Sequence, residues 1–567
     1  MSDRPCFPVF CFAALLAPLL AACSPQEPAA TAADAAPQAS PRADISAEDF
    51  ARHVRTLASD EFEGREPSSP GGEKTVEYIR DEFAKLGLKP AAAEGYFQDV
   101  PLVRITADPA AELVIGGGAG SLTFGYGEDM IVWTKRVTEQ AAIEDSELVF
   151  VGYGIVAPEY DWNDYEGLDM RGKTAVILVN DPGYATQDPE LFTGNAMTYY
   201  GRWTYKFEEA ARQGAAGALI VHETDAAGYP WEVVTGSWSG PQFDLESKDG
   251  NRSRVAIEGW ITGDAAERLF AAAGSDYQSA RKSAAERGFE AQAVGGLTAT
   301  VGVENSIAHS KSRNVAGILP GSERPGETII YMAHWDHLGR DESREGDQIF
   351  NGAQDNATGV AAIMEIAEAF AGAPEPPERS VLFLAVTAEE SGLLGSAWYA
   401  RNPLVPLAET VAAINIDRMS VLGPSKDVSV IGYGSSELED WLARVAAEQG
   451  RHLEPEPTPE KGFFYRSDHF NLAKRGVPVL YVRGGIDHVE RGSEWGRQQQ
   501  AGYVAERYHK PADEFDPEWD LTGTVEDVEM LFTVGRELAA SEAFPNWHEG
   551  EEFRAARDES RAGATGS

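Results

Sequence analysis

The chain has 567 residues, enough for several domains and a full hydrophobic core. Apolar residues make up 43% and charged residues 25%, the balance of a soluble globular protein and not of a disordered one. Asp and Glu outnumber Lys and Arg by 91 to 48, a formal net charge of −43 that repels nucleic acid and anionic lipid headgroups and excludes DNA or RNA as a partner.

The N-terminus carries all three cysteines, Cys6, Cys11 and Cys23, so no disulfide framework or thiol chemistry is available downstream. After Arg4, an apolar run from Phe7 to Ala22 broken by Pro8 and Pro18 is short for a membrane span and fits a secretory signal peptide over residues 1–22. It ends in Leu20-Ala21-Ala22-Cys23, which resembles a bacterial lipobox. That resemblance implies cleavage before Cys23, lipid on its thiol and, with Ser24 following, an outer-membrane anchor facing the periplasm or the exterior. Residues 23–44, rich in Ala, Pro, Gln, Thr and Ser, read as a flexible tether. No later run approaches 18 apolar residues, so membrane contact is expected only through that lipid.

Beyond the tether, Phe50, Val54 and Leu57, then Val76, Ile79, Phe83 and Leu86, recur at three- and four-residue intervals and predict helices. Asp60 to Arg65 between them reads as loop. Residues 111–304 change texture: the β-rich runs 148–151, 174–179 and 218–221 alternate with Gly/Asp/Tyr-rich loops and one helix near 203–212, with His222 the only histidine. From about 312, four buried-strand runs appear at 328–332, 381–387, 411–416 and 477–482, and Val360, Ile363, Met364, Ala367 and Phe370 mark an intervening helix. Alternating strands and helices predict an α/β fold, an open and mostly parallel sheet flanked by helices, with its ligand crevice at the carboxyl ends of the strands. The tail 546–567 is polar and charged and is expected to fray.

Polar residues stand directly after three of those strands: Ala333-His334-Trp335-Asp336-His337, then Ala388-Glu389-Glu390-Ser391, then Asp417-Arg418-Met419. Between the first two, Asn351-Gly352-Ala353-Gln354-Asp355-Asn356-Ala357-Thr358-Gly359 opens a helix, and Tyr508-His509-Lys510-Pro511-Ala512-Asp513 follows later. Imidazoles and carboxylates without thiols suit zinc, manganese or cobalt. Each piece alone is common; their joint placement at successive strand ends is not.

These five motifs together resemble the co-catalytic di-zinc peptidase family, which includes bacterial leucyl aminopeptidases, glutamate carboxypeptidase and the transferrin receptors. The resemblance covers residues 45–110 and 305–545. The intervening segment, with Val151-Gly152-Tyr153-Gly154-Ile155, resembles the β-rich protease-associated domain inserted in such enzymes. The resemblance implies two Zn2+ ions, with Mn2+ or Co2+ as substitutes: His334 and Asp417 on one, Glu390 and His509 on the other, and Asp355 bridging. It implies Asp336 as the partner that fixes the His334 ring, Glu389 as general base and Tyr508 as a hydrogen-bond donor to the tetrahedral oxyanion. Gln354 departs from the second acid of many relatives, but Asp355 keeps the bridging place.

The implied activity is that of an aminopeptidase releasing N-terminal residues from peptides. A glutamate-type carboxypeptidase and a glutaminyl cyclase-like acyltransferase are the alternatives, and a non-catalytic binder requires lost ligands. Arg418 reads as a salt-bridge partner, Ser467-Asp468-His469 as support near the substrate rather than a nucleophilic triad, and His337, His452 and His488 as surface or satisfied loop histidines.

Overall fold

The computed structural model describes residues 45–108, 112–117 and 121–565. The signal peptide, the Cys23 lipobox and the tether lie outside the described residues. Among the described residues, no helix is long and apolar enough to cross a membrane.

Two helices open the described chain. Helix α1, Ala47–Leu57, is capped by the Ser46 hydroxyl, and α2, Pro70–Lys85, by that of Ser69, with proline at its first turn. Their apolar positions, Phe50, Val54, Leu57, Val76, Ile79 and Phe83, are buried as the periodicity predicts. Asp60–Arg65 between them forms a tight 3-10 turn in which Glu63, Gly64 and Arg65 take positive φ.

The main sheet is built from β1 (Phe97–Ala107), β2 (Gln292–Leu319), β3 (Arg324–His334), β4 (Arg379–Val386), β5 (Thr410–Asn415), β6 (Asp427–Val430), β7 (His452–Pro455) and β8 (Val479–Gly484). Its order is β1-β2-β4-β3-β5-β8-β6-β7. The central strands β4, β3, β5 and β8 are parallel, and antiparallel pairs flank them. Alternate residues of β3 enter different cores, Ile329, Tyr331 and Ala333 on one face and Ile330 and Met332 on the other. Helix α3, Thr358–Ala371, packs on the first face with α1. Parallel neighbours end on the same edge, so β3, β4 and β5 deliver their following loops to one crevice.

Strand β2 is 28 residues long and changes sheets along its length. From Asn305 onward it pairs with β1, while through Glu304 it pairs with Gln140–Phe150 in a second sheet. That sheet continues through parallel strands Thr174–Leu178, Gly217–His222 and Ile257–Thr262 to Met130–Trp133, with Val176 and Leu178 in one core and Ala175 and Ile177 in another.

The tail corrects the expectation of fraying. Trp547 is fully buried and donates its indole N–H to the Gly476 carbonyl at 3.1 Å, Phe553 stacks on Phe464, and Arg554–Thr565 is helical. Two aromatic anchors among many charges hold the segment, which average polarity conceals.

Candidate metal centre

His334 ends β3 and is 1% exposed. Its Nε2 lies 3.3 Å from Asp355 Oδ1 and 3.4 Å from Asp417 Oδ1. Asp355 sits on a kinked turn, Ala353–Ala357, ahead of α3, where its own φ and ψ leave the helical range. Its second oxygen, Oδ2, lies 3.4 Å from His509 Nε2, which in turn is 3.0 Å from Glu390 Oε2. The five side chains thus run in the order Asp417, His334, Asp355, His509, Glu390, with Asp355 giving one oxygen to each side. His334, Asp355 and Asp417 offer ligand atoms within 4.8 Å of one another, as do His337, Asp355 and Glu390, and His334, Glu389 and Glu390.

Charge sharing follows this geometry. Burial opposes ionisation throughout, yet the two flanking imidazoles hold Asp355 well below the usual carboxylate range, and Glu390, beside His509, falls to about 2. The same carboxylates raise His509 to about 10. Glu389 is pushed up by burial and by the charges of Glu390 and Asp417, against the pull of His334.

Asp336 differs in its contacts from the sequence expectation. Its carboxylate is 3.9 Å from His334 Nδ1, and the closer partner of that nitrogen is the Asp336 carbonyl at 3.1 Å. The carboxylate instead accepts the backbone N–H groups of Glu389 at 3.1 Å and Glu390 at 3.4 Å. Tyr508 stacks on His509, ring centroids 3.9 Å apart. With Glu389 and Glu390 it lines a cavity of about 430 Å³ that Trp203, Trp238 and Arg254 also line. Backbone strain gathers here: Ala388, Arg418 and His509 have φ of 54°, 67° and 55°.

Several supports escape sequence reasoning. Arg65, fully buried, donates to the carbonyls of Trp335, Asn351, Gly352 and Leu57, tying the His334 and Asp355 loops together. Asp513, which closes the Tyr508–Asp513 motif, accepts the N–H groups of Gln354 and Asp355 and the Tyr503 hydroxyl. Asn356 donates to the Ile416 carbonyl and accepts from the Arg418 N–H, binding the Asp355 turn to the end of β5. None of these has a local signal, because each acts through backbone groups distant in sequence.

Other expectations divide. Ser467 accepts from Asn415, and Asp468 accepts from the Ser396 hydroxyl, so no Ser-His-Asp relay forms. Arg418 has no ion pair among the described residues and lies over the Tyr503 ring at 4.7 Å. His452 is exposed, and His488 is buried with its Nδ1 accepting from Glu490 and Arg491. His337 is no surface residue: it is 1% exposed and its Nδ1 lies 2.6 Å from Glu390 Oε1.

Residues 314–533 match the sequence profile of peptidase family M28. A probable zinc metalloprotease of Pyricularia oryzae is 37% identical over 248 residues, 41% of this chain and 48% of that protein. The aminopeptidase NAALADL1 of Mus musculus is 33% identical over 127 residues, 22% of this chain and 16% of that protein. The chain therefore spans less than half the length of these curated relatives. Among solved structures, an aminopeptidase from Aneurinibacillus sp. strain AM-1 is 21% identical, covers 87% of this chain and 94% of its own, and gives a TM-score of 0.47. All five side chains of the cage lie within residues 314–533, the segment that is similar to peptidase family M28.

Proposed function

We propose that the chain is a metal-dependent exopeptidase, an aminopeptidase acting on peptides, with two zinc ions held by His334 and Asp417, by Glu390 and His509, and by Asp355 between them. The observation that carries this reading is the split of the Asp355 carboxylate between two imidazoles. Two donors on one tetrahedral zinc with bonds of about 2.0–2.1 Å sit about 3.3 Å apart. The separations His334–Asp355, His334–Asp417 and His509–Asp355 are 3.3, 3.4 and 3.4 Å. The donor set fits the ions.

Bound zinc supplies Lewis acidity toward the scissile carbonyl and toward water. The protein's own groups do the rest. Glu389, adjacent to Glu390 but free of its contacts to His509 and His337, accepts the proton of the attacking water and passes it to the leaving amine. Asp336 fixes the direction of both glutamates through their N–H groups. Tyr508 remains protonated, because the desolvated cleft and then Asp355 and Glu390 raise its phenol, so it can donate to the developing oxyanion.

The test is hydrolysis of leucyl-p-nitroanilide and of a peptide library read by mass spectrometry, with and without chelator. Chelator-sensitive loss of N-terminal residues, abolished by acetylating the α-amine, is the expected result. Unchanged cleavage of acetylated peptides moves the assignment to a glutamate-type carboxypeptidase, and cyclisation of N-terminal glutamine to the acyltransferase.

Two further readings belong to this proposal. Residues 111–304 act as a protease-associated insert that walls the cavity, a role supported by the glycine-rich Val151–Ile155 run and by Trp203 and Trp238 at the cleft. Cys23 carries lipid and anchors the enzyme at the outer membrane, supported by the Leu20–Cys23 motif.

A further inference from the structure

We infer that His337 is a positioning residue that reserves one oxygen of Glu390, so that this ligand meets its metal ion through the other oxygen alone. The inference rests on the metal-binding reading above. Glu390 is gripped from two sides: Oε1 lies 2.6 Å from His337 Nδ1, and Oε2 lies 3.0 Å from His509 Nε2. These are different jobs. A separation of 2.6 Å is that of a charge-assisted hydrogen bond and is too short for two atoms to share one zinc ion, which needs about 3.3 Å between donors. His337 therefore holds the carboxylate, whereas His509 is spaced as a fellow ligand.

The fold builds a seat for this ring. Gly352 has φ +55°, and a Cβ there would stand 2.6 Å from the His337 Cγ and Cδ2 atoms, so only glycine leaves room. The His337 N–H donates to the Arg65 carbonyl at 3.3 Å, and its ring meets that of His509 edge-on at 5.7 Å. Among the described residues its side chain hydrogen-bonds Glu390 through Nδ1, and Nε2 is buried without a partner. With Nδ1 bearing the proton, Oε1 is engaged. Glu390 would then offer a bound ion one oxygen instead of two, which would leave room for water or substrate.

The experiment compares the parent with His337→Ala and His337→Asn, each loaded with Co2+ in place of zinc. Metal per chain is measured by mass spectrometry and coordination number by the visible d–d absorption, both independent of turnover. Asn keeps an N–H near the place of Nδ1; Ala does not. The expected result is unchanged metal content in all three, a d–d absorption lowered about twofold in His337→Ala as Glu390 swings to bind through both oxygens, and recovery of the parent spectrum in His337→Asn. Loss of one cobalt equivalent in both variants would make His337 itself a ligand and overturn the inference, as would a His337→Ala spectrum identical to the parent. A parent chain that takes up no cobalt overturns the metal reading itself and this inference with it.

Discussion

The carboxylate of Asp336 lies beneath the backbone of Glu389, accepting its N–H at 3.1 Å, while standing 3.9 Å from the His334 ring. The acid two residues after His334 thus serves chiefly the loop that follows the neighbouring strand. Asp336→Asn replaces one acceptor oxygen by an N–H group facing other N–H groups, so the Glu389-Glu390 pair should turn out of place. Turnover of leucyl-p-nitroanilide is expected to fall about 10- to 100-fold with bound metal reduced by less than half. Parental kcat in this variant would remove the role.

Glu389→Ala removes the proposed proton acceptor and spares the five side chains of the cage. We expect kcat to drop about 10²- to 10⁴-fold while metal per chain stays at the parental value. An undiminished rate would take the base assignment away from Glu389.

Asp355→Ala withdraws the one carboxylate that faces both imidazoles. Its loss leaves His334 and His509 without their shared partner, and metal analysis after gel filtration should find the content depleted on both sides. Full occupancy would show that the bridge is dispensable.

Arg65 is the clamp between the His334 and Asp355 loops. Arg65→Met removes the side-chain donor from the buried carbonyls of Trp335, Asn351 and Leu57, while that of Gly352 keeps the Ala357 N–H, and should cost about 3 kcal/mol or more of unfolding free energy in urea. A midpoint within error of the parent contradicts the clamp.

His53, 3% exposed, hydrogen-bonds Tyr78 at 2.7 Å, and burial followed by the charge of Arg52 lowers its pKa to about 4. The folded state thus keeps the ring neutral where the unfolded chain, near 6.5, takes up a proton. Its stabilising contribution is complete above pH 6.5 and is lost as the pH falls to about 4. In His53→Gln the loss of unfolding free energy between pH 7 and pH 4.5 should be smaller by about 2 kcal/mol; equal slopes in urea titrations would refute this.

Much of the architecture was readable from periodicity. The runs at 328–332, 381–387 and 411–416 are central strands, and Val360 to Phe370 line a buried helix, because apolar spacing reports which face is dry. The tail departs from its polar average because Trp547 and Phe553, outnumbered by charges, are buried rings that suffice to dock it.

For the site, polar motifs at successive strand ends are legible locally, and the resemblance to the di-zinc peptidases is what implies His334, Asp355, Glu390, Asp417 and His509 among them as ligands. Their supports were another matter. Arg65 works through four carbonyls as far as residue 352, Asp513 through the N–H groups of Gln354 and Asp355, and His337 through a single oxygen of Glu390 in a space cleared by Gly352. Backbone carbonyls and N–H groups are common to every residue and leave no trace in composition or spacing. Which of them a side chain meets is decided only when the parallel strands bring their loops to the same edge.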